Sequence, residues 1–211
     1  MEPRTIKDRL REEYFELLPD IHRVVQSLET QVRHCLLPIS RHLEKHEVLV
    51  VTSRVKDCAS AVTKRLRRQE ARLFDPDQPE AYSLTDLPDL AGVRVLAFPR
   101  RRRDQVNDVL RREFSSWEPA PFDNAEGAGF KYCGYCEEVS HQLRCELQIV
   151  SRLVGLFWEV EHAAVYKPPP AIAHAVNHPR MQKRRRDVMA ALGAFEDEFE
   201  RLVSTEPTGE G

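Results

Sequence analysis

Apolar residues recur every three or four positions from residue 6 to about 37, where Leu10, Tyr14, Leu18, Ile21, Val25, Leu28, Val32 and Cys35 share one side of a helix. Pro19 interrupts the stripe and predicts either two helices meeting there or a kink, because proline lacks the donor that a helix interior uses. The pattern then changes. Residues 47–52, EVLVVT, are rich in β-branched side chains and predict a buried strand; a basic helix follows over about 57–74 and ends at the Pro/Asp-rich loop DPDQPEAYS. Residues 91–98, AGVRVLAF, predict a second strand, and Val106, Val109, Leu110 and Phe114 predict an amphipathic helix over 104–114. The stretch 130–151 predicts two strands joined near His141. A helix over about 152–166 then meets a stop at Pro168, Pro169 and Pro170. A last helix, about 179–203, carries Met181, Val188, Leu192, Phe195, Phe199 and Leu202 on one face at coiled-coil-like spacing. No internal repeat is visible. These elements predict an α/β (α+β) chain: a mixed sheet with helices in a core over 46–170, a helical segment over 1–45, and a C-terminal helix with an acidic tail over 171–211.

Composition narrows the class. With 211 residues, 41% hydrophobic and 31% charged, the chain can bury one ordinary domain core beneath a surface rich in ion pairs. A net charge of -2 names no partner. The distribution says more: basic residues cluster at Arg100 to Arg103 and at Lys183 to Arg186, which suits a phosphate backbone, a solvated helix face or a loop paired with the acidic tail. No apolar run approaches the roughly 20 residues of a membrane span, and MEPRTIKDRLREE has no apolar stretch for a secretory signal. Five cysteines, an odd number, read as reduced thiols, so a cytoplasmic protein without a membrane partner is expected.

Four stretches carry candidate chemistry. In TSRVKDCASAVTKRLRR, Arg54 and Lys56 stand at a strand end, and Ser60 and Lys64 follow on the same side of the helix. Cations and a hydroxyl at a helix start suit a polyphosphate, although a solvated basic helix would read the same way. In TDLPDLAGVRV, Asp89 immediately precedes a buried strand, where a lone carboxylate either caps a turn or helps to hold Mg²⁺. In CELQIVS, Glu146 is one acid in an apolar run; buried there it needs a metal, a cation or a substrate hydroxyl, and on an edge strand it would simply face water. The helix after it mixes Trp158, Glu161, His162, Tyr166 and Lys167 with apolar positions, which is too polar for a plain core helix. The nearby pair Cys133 and Cys136 is a weak zinc candidate. Zinc takes about four ligands, usually from two pairs, only Cys145 stands near as a third, and a strand turns 133 and 136 to opposite faces. Buried or edge thiols are expected instead.

Taken in order, these motifs resemble the synthetase domain of the RelA/SpoT family, the small alarmone synthetases and their toxin relatives. The resemblance covers about 49–167 and rests on S-R-V-K…S…K at 53–64, D-L-A-G-V-R-V at 89–95, G-Y at 134–135, E-L-Q-I at 146–149 and E-H…Y-K at 161–167. It implies a nucleotidyltransferase-like fold and a Mg²⁺-dependent pyrophosphokinase that moves the β,γ-pyrophosphate of ATP to the 3′-hydroxyl of GDP or GTP. By resemblance, Arg54, Lys56, Ser60 and Lys64 hold ATP. Asp89 ligates the metal; Glu146 assists it and takes the proton. Tyr135, Lys131 and Gln148 meet the acceptor, and Glu161, His162 and Lys167 line or brace the pocket. Toxin-type relatives extend the reading to the tRNA 3′ end as acceptor and an antitoxin as partner, and the terminal helices suggest a homo-oligomer. A nucleotide-binding protein without catalysis is the remaining alternative, but a pure binder has no need of a base such as Glu146. Two departures concern the acceptor side. Glu137 and Val139 stand where the family usually has Ser and His, and E-I-Q-I-R-T has become E-L-Q-I-V-S, with Arg152 the next arginine along.

Overall fold

A computed structural model describes residues 5–70, 82–122, 129–136, 139–161 and 170–205. Helix α1 (Ile6–Ser40) starts at Thr5, whose hydroxyl accepts from the Asp8 N–H at 3.2 Å. It runs through Pro19 as one helix, not as two helices meeting there. Both Pro19 and Phe15, whose carbonyl loses its i+4 donor there, lie on the exposed side, so water can satisfy that carbonyl. The buried stripe Leu10, Tyr14, Ile21, Val25, Leu28, Val32 and Leu36 faces the main core.

Five strands make one sheet in the order β1-β2-β5-β4-β3: β1 (Val48–Val55), β2 (Ala91–Phe98), β3 (Glu118–Pro119), β4 (Gly129–Tyr135) and β5 (Arg144–Ser151). Only the β2–β5 pair is parallel. Alternation divides each strand between two faces. On one, Val51, Val93, Val95, Leu147, Ile149 and Tyr132 pack under α1 and α3 (Arg100–Glu113). On the other, Leu96 and Val150 pack with Val154 of α4 (Arg152–Glu161), and Met189 of α6 (Pro179–Thr205) seals that smaller cluster. Gly155 permits this approach, because a Cβ there would lie 2.3 Å from a Leu96 methyl. The remaining helices are α2 (Cys58–Glu70) and α5 (Pro170–Val176), which begins where the sequence predicted only a stop. Among the described residues no helix is long and apolar enough to cross a membrane.

Helix α3 begins at Arg100, four residues before the predicted start, and takes in the whole basic cluster. The four arginines supply no apolar signal, yet all are good helix formers. Their charges are used within the chain. Arg101 and Arg102 reach the two carboxylate oxygens of Glu47 at 2.7 and 2.6 Å, Arg103 pairs with Asp104 at 2.8 Å, and Arg100 pairs with Asp197 of α6 at 2.5 Å. Glu47 has no exposed side-chain surface. Burial raises its pKa, but the Arg102 and Arg101 guanidinia and the Glu44 N–H outweigh that and hold it at about 2 against an ordinary 4.5. A depressed folded value stabilises the fold above the unfolded pKa and is lost as pH falls from 4.5 towards about 2. Glu47→Gln is therefore expected to cost on the order of 3 kcal/mol at neutral pH. Urea unfolding should show that gap closing below pH 4; a constant gap would assign the loss to packing.

Candidate active site

The polar residues of the second sheet face gather toward one end. Strand register sets Arg54 beside Gly92, Gly92 beside Glu146 and Glu146 beside Cys133; one step along, Thr52, Arg94, Gln148 and Lys131 lie in line. At about 4.8 Å between strands, Arg54 and Glu146 stand roughly 10 Å apart across Gly92. Gly92 offers no side chain to fill that gap: even a Cβ would meet only ordinary contacts with Glu146 O and Arg54 Cγ. The result is a polar floor over the glycine, walled by cations.

Glu146 is buried, one of the two settings its apolar run left open, and it has partners. Gln148 Nε2 donates to its Oε1, Arg94 Nε donates to Gln148 Oε1 at 2.8 Å, and Lys131 Nζ lies 3.6 Å from its Oε2. Arg94 in turn sits 5.9 Å over the Trp158 ring of α4, and Lys131 5.6 Å over Phe122. Burial, followed by the nearby Arg54 cation, pulls the Arg94 pKa below its ordinary value.

Asp89 occupies the turn just ahead of β2, at the same end of the sheet. Leu84, Leu87 and Leu90 are fully buried around it and fix the turn. The Lys56 N–H donates to Leu90 O at 2.9 Å, and the Tyr14 hydroxyl donates to Lys56 O at 2.8 Å, so α1 braces the same loop. Lys56 and Lys64, two helical turns apart in sequence, both reach Asp89 Oδ2, at 2.8 and 2.6 Å. Burial raises the Asp89 carboxyl, and the two ammonium groups more than offset it, leaving the pKa below its ordinary 3.8. Asp89 Oδ1 is buried with no hydrogen-bond partner among the described residues. No three His, Cys, Asp or Glu side chains gather as a metal cluster among those residues. A hard divalent cation fits this donor set by taking that spare oxygen, with Glu146, phosphate oxygens and water to complete its shell.

The other predicted residues divide. Ser60 lies in the first turn of α2, its N–H donating to Asp57 Oδ1 at 2.8 Å. Tyr135 is exposed on the Glu146 face of β4, level with Arg144. Its neighbour Gly134 lets the Trp117 indole lie flat against the opposite face, where a Cβ would come within 2.3 Å. Glu161 pairs with Arg185, which ties α4 to α6. His162 and Lys167, with Tyr166 and Glu137, lie outside the described residues. Cys133, Cys136 and Cys145 are buried thiols; burial raises Cys133 and pushes Cys145 up to about 12, so neither is a ready thiolate. Arg94 was absent from the candidates. The signal that found Glu146, one charge in an apolar strand, also marks the arginine in AGVRVLAF.

No protein-family model matches the chain, and no curated protein matches it by sequence. Solved structures do. The small alarmone synthetase 1 from Bacillus subtilis aligns with a TM-score of 0.64 and 17% identity over 92% of this chain and 97% of that one. The same synthetase bound to its product pppGpp gives 0.63 and 16% over the same shares. A GTP pyrophosphokinase family protein from Streptococcus pneumoniae gives 0.60 and 18%, covering 90% of this chain and 92% of that one. The chain thus has the fold of a RelA/SpoT-type synthetase domain.

Proposed function

We propose that this chain is a pyrophosphokinase that moves the β,γ-pyrophosphate of ATP to the 3′-hydroxyl of GDP or GTP. The observation that carries the reading is a buried carboxylate, Glu146, next to Gly92 with Arg54, Arg94 and Lys131 on its sheet face, and Lys56 and Lys64 on Asp89 at the same end of the sheet. Five cations against Glu146, Asp89 and Glu159, the last of which acts on Arg94, still leave positive charge for a ligand that brings several negative ones.

In this reading Arg54 and Arg94 hold the ATP end over Gly92. Lys56 and Lys64 exchange Asp89 for phosphate oxygens, and Ser60 supports them from the first turn of α2. The acceptor hydroxyl gives its proton to Glu146, and its oxygen bonds to the β-phosphorus. The bond from that phosphorus to the α–β bridging oxygen breaks, and AMP leaves. Gln148 and Lys131 fix the two oxygens of Glu146, so the base waits in one orientation. Tyr135 offers its ring to the acceptor base. Mg²⁺ held by Asp89 and Glu146 would supply charge neutralisation at the phosphates. Positioning and cation placement carry most of such a transfer. The test is to incubate the protein with labelled ATP and GDP, GTP or bulk tRNA, and to see which acceptor carries the label.

Transfer to the tRNA 3′ end, with an antitoxin as partner, is the second reading. Exposed Lys183, Arg184 and Arg186 on α6 favour it. Arg100 to Arg103 favour it less, because their charges pair within the chain.

A second copy of the chain is the expected partner of α6. Met181, Val188, Phe195 and Leu202 recur at intervals of seven and are all exposed. The helix is basic over 180–186 and acidic over 196–200, so an antiparallel copy sets each half against its opposite. Phe195→Glu should convert dimer to monomer at micromolar concentration by light scattering. An unchanged mass would free the stripe from this role.

A further inference from the structure

Arg94 and Lys131, the two cations nearest the Glu146 carboxylate on its sheet face, lie on β2 and β4, in line with Gln148 of the strand between them. Neither is held firmly by a carboxylate. Among the described residues the Arg94 side chain makes one hydrogen bond, from Nε to Gln148 Oε1 at 2.8 Å. Lys131 Nζ reaches Glu146 only at 3.6 Å, longer than a hydrogen bond. What lies under both is aromatic. Arg94 Cζ stands 5.9 Å over the Trp158 ring of α4 and Lys131 Nζ 5.6 Å over the Phe122 ring, and the two rings meet with centroids 5.2 Å apart at 52°. The pair is itself anchored. The Ala120 N–H donates to Lys131 O at 2.8 Å, so the stretch that carries Phe122 hangs on the strand that carries Lys131. Both rings pack against the small cluster of Leu96, Val150 and Val154, where Met189 of α6 packs too, and the Glu161–Arg185 pair ties α4 to α6.

We propose that Trp158 and Phe122 are positioning residues, an aromatic seat that sets Arg94 for ATP and Lys131 for Glu146. The parts of Arg94 at ATP and of Lys131 beside the base are those of the pyrophosphokinase reading, on which this proposal rests. Its physical ground is what a ring does for a cation removed from water. Burial, then the neighbouring Arg54, makes the charged form of Arg94 costly, so the guanidinium needs compensation. A carboxylate beneath it would compensate, but would also occupy its N–H groups and cancel the charge that a phosphate must find. A ring face attracts the cation through its quadrupole and takes none of the donors in the guanidinium plane. Charge and donors thus stay available to the ligand while the side chain is held in place. Phe122 does the same for the Lys131 ammonium, which keeps its reach to Glu146. Trp158 therefore acts on donor binding and Phe122 on the rate.

The test is a double-mutant cycle read by the Kd of a non-transferable ATP analogue, beside the transfer rate with saturating ATP and GDP. Trp158→Met and Trp158→Phe both remove bulk, but only phenylalanine keeps a ring. Trp158→Met should weaken the analogue roughly 5- to 30-fold, and Trp158→Phe should stay within about threefold of the wild type. In an Arg94→Ala background Trp158→Met should add nothing, because the residue through which it acts is gone. Phe122→Met should leave analogue binding in place and slow transfer roughly fivefold or more, and Phe122→Tyr should keep the rate. Equal losses in Trp158→Met and Trp158→Phe would overturn the proposal. So would a Trp158→Met loss that persists undiminished beside Arg94→Ala, since either result makes the ring core packing. A wild type that does not bind the analogue would refute the donor reading and this proposal with it. The predicted binding pattern without any transfer would instead refute the reaction, remove the role of Phe122 and leave that of Trp158 standing.

Discussion

Glu146→Gln is expected to lower the transfer rate by about 10²- to 10⁴-fold while ATP binding and folding are kept, the range found when a positioned general base is removed. The substitution is close to isosteric, and the new amide still offers a carbonyl to Gln148 Nε2, the donor that orients the native carboxylate. It cannot take a proton. It also gives up the ion pair with Lys131, 3.6 Å away, but the cations proposed to hold ATP remain. Rates with saturating ATP and acceptor, beside the Kd of a non-transferable ATP analogue, separate the two effects. A variant within tenfold of the wild-type rate would remove Glu146 as the base. Tenfold weaker ATP-analogue binding would make it part of the donor site.

Asp89→Asn is expected to cost more than activity. Asp89 Oδ2 receives both Lys56 and Lys64, and the Lys56 side chain is only 12% exposed. With a neutral amide in its place, two cations meet in a nearly closed space, and removing one partner of such a pair costs about 3 kcal/mol. Activity should fall at least about 100-fold, since the carboxylate proposed to hold Mg²⁺ is lost together with the order of the two lysines proposed to meet phosphate. Raising Mg²⁺ should recover part of the rate, because the amide oxygen is a weaker ligand in the same place. Denaturant unfolding and a Mg²⁺ titration of the rate give the two readouts. Lost stability with unchanged Mg²⁺ dependence would make Asp89 a structural anchor for the lysines alone.

Much of this was legible in the sequence, for reasons that differ by element. Strand β2 has the predicted limits, because AGVRVLAF is apolar and bounded by Leu-Pro-Asp-Leu and Pro99. The β4–β5 hairpin and α6 also lie where periodicity put them. The two-residue β3, residues 118–119, is too short for any pattern and exists only through its pairing with β4. Within the site, Asp89, Lys56 and Lys64 were separate candidates; only the fold brings both lysines to one oxygen. Arg94 carried the same signal as Glu146, one charge in an apolar strand, but its part in the site shows only once its register with Gln148 is known. The basic run at α3 left open a phosphate backbone or a face paired with the acidic tail. Glu47, far away in sequence, takes two of its four arginines and Asp197 of α6 takes a third.

The central claim is the reaction itself, and the bond that breaks tests it most directly. The purified protein should be given ATP labelled at both the β- and γ-phosphates, with GDP and Mg²⁺, and its products separated. The account predicts AMP as the leaving product and a guanosine nucleotide that carries both labelled phosphates on its 3′-oxygen, with both formed about 10²- to 10⁴-fold more slowly by Glu146→Gln. Release of ADP with only the γ-label transferred, or AMP and free pyrophosphate with no labelled acceptor among GDP, GTP and tRNA, would contradict it.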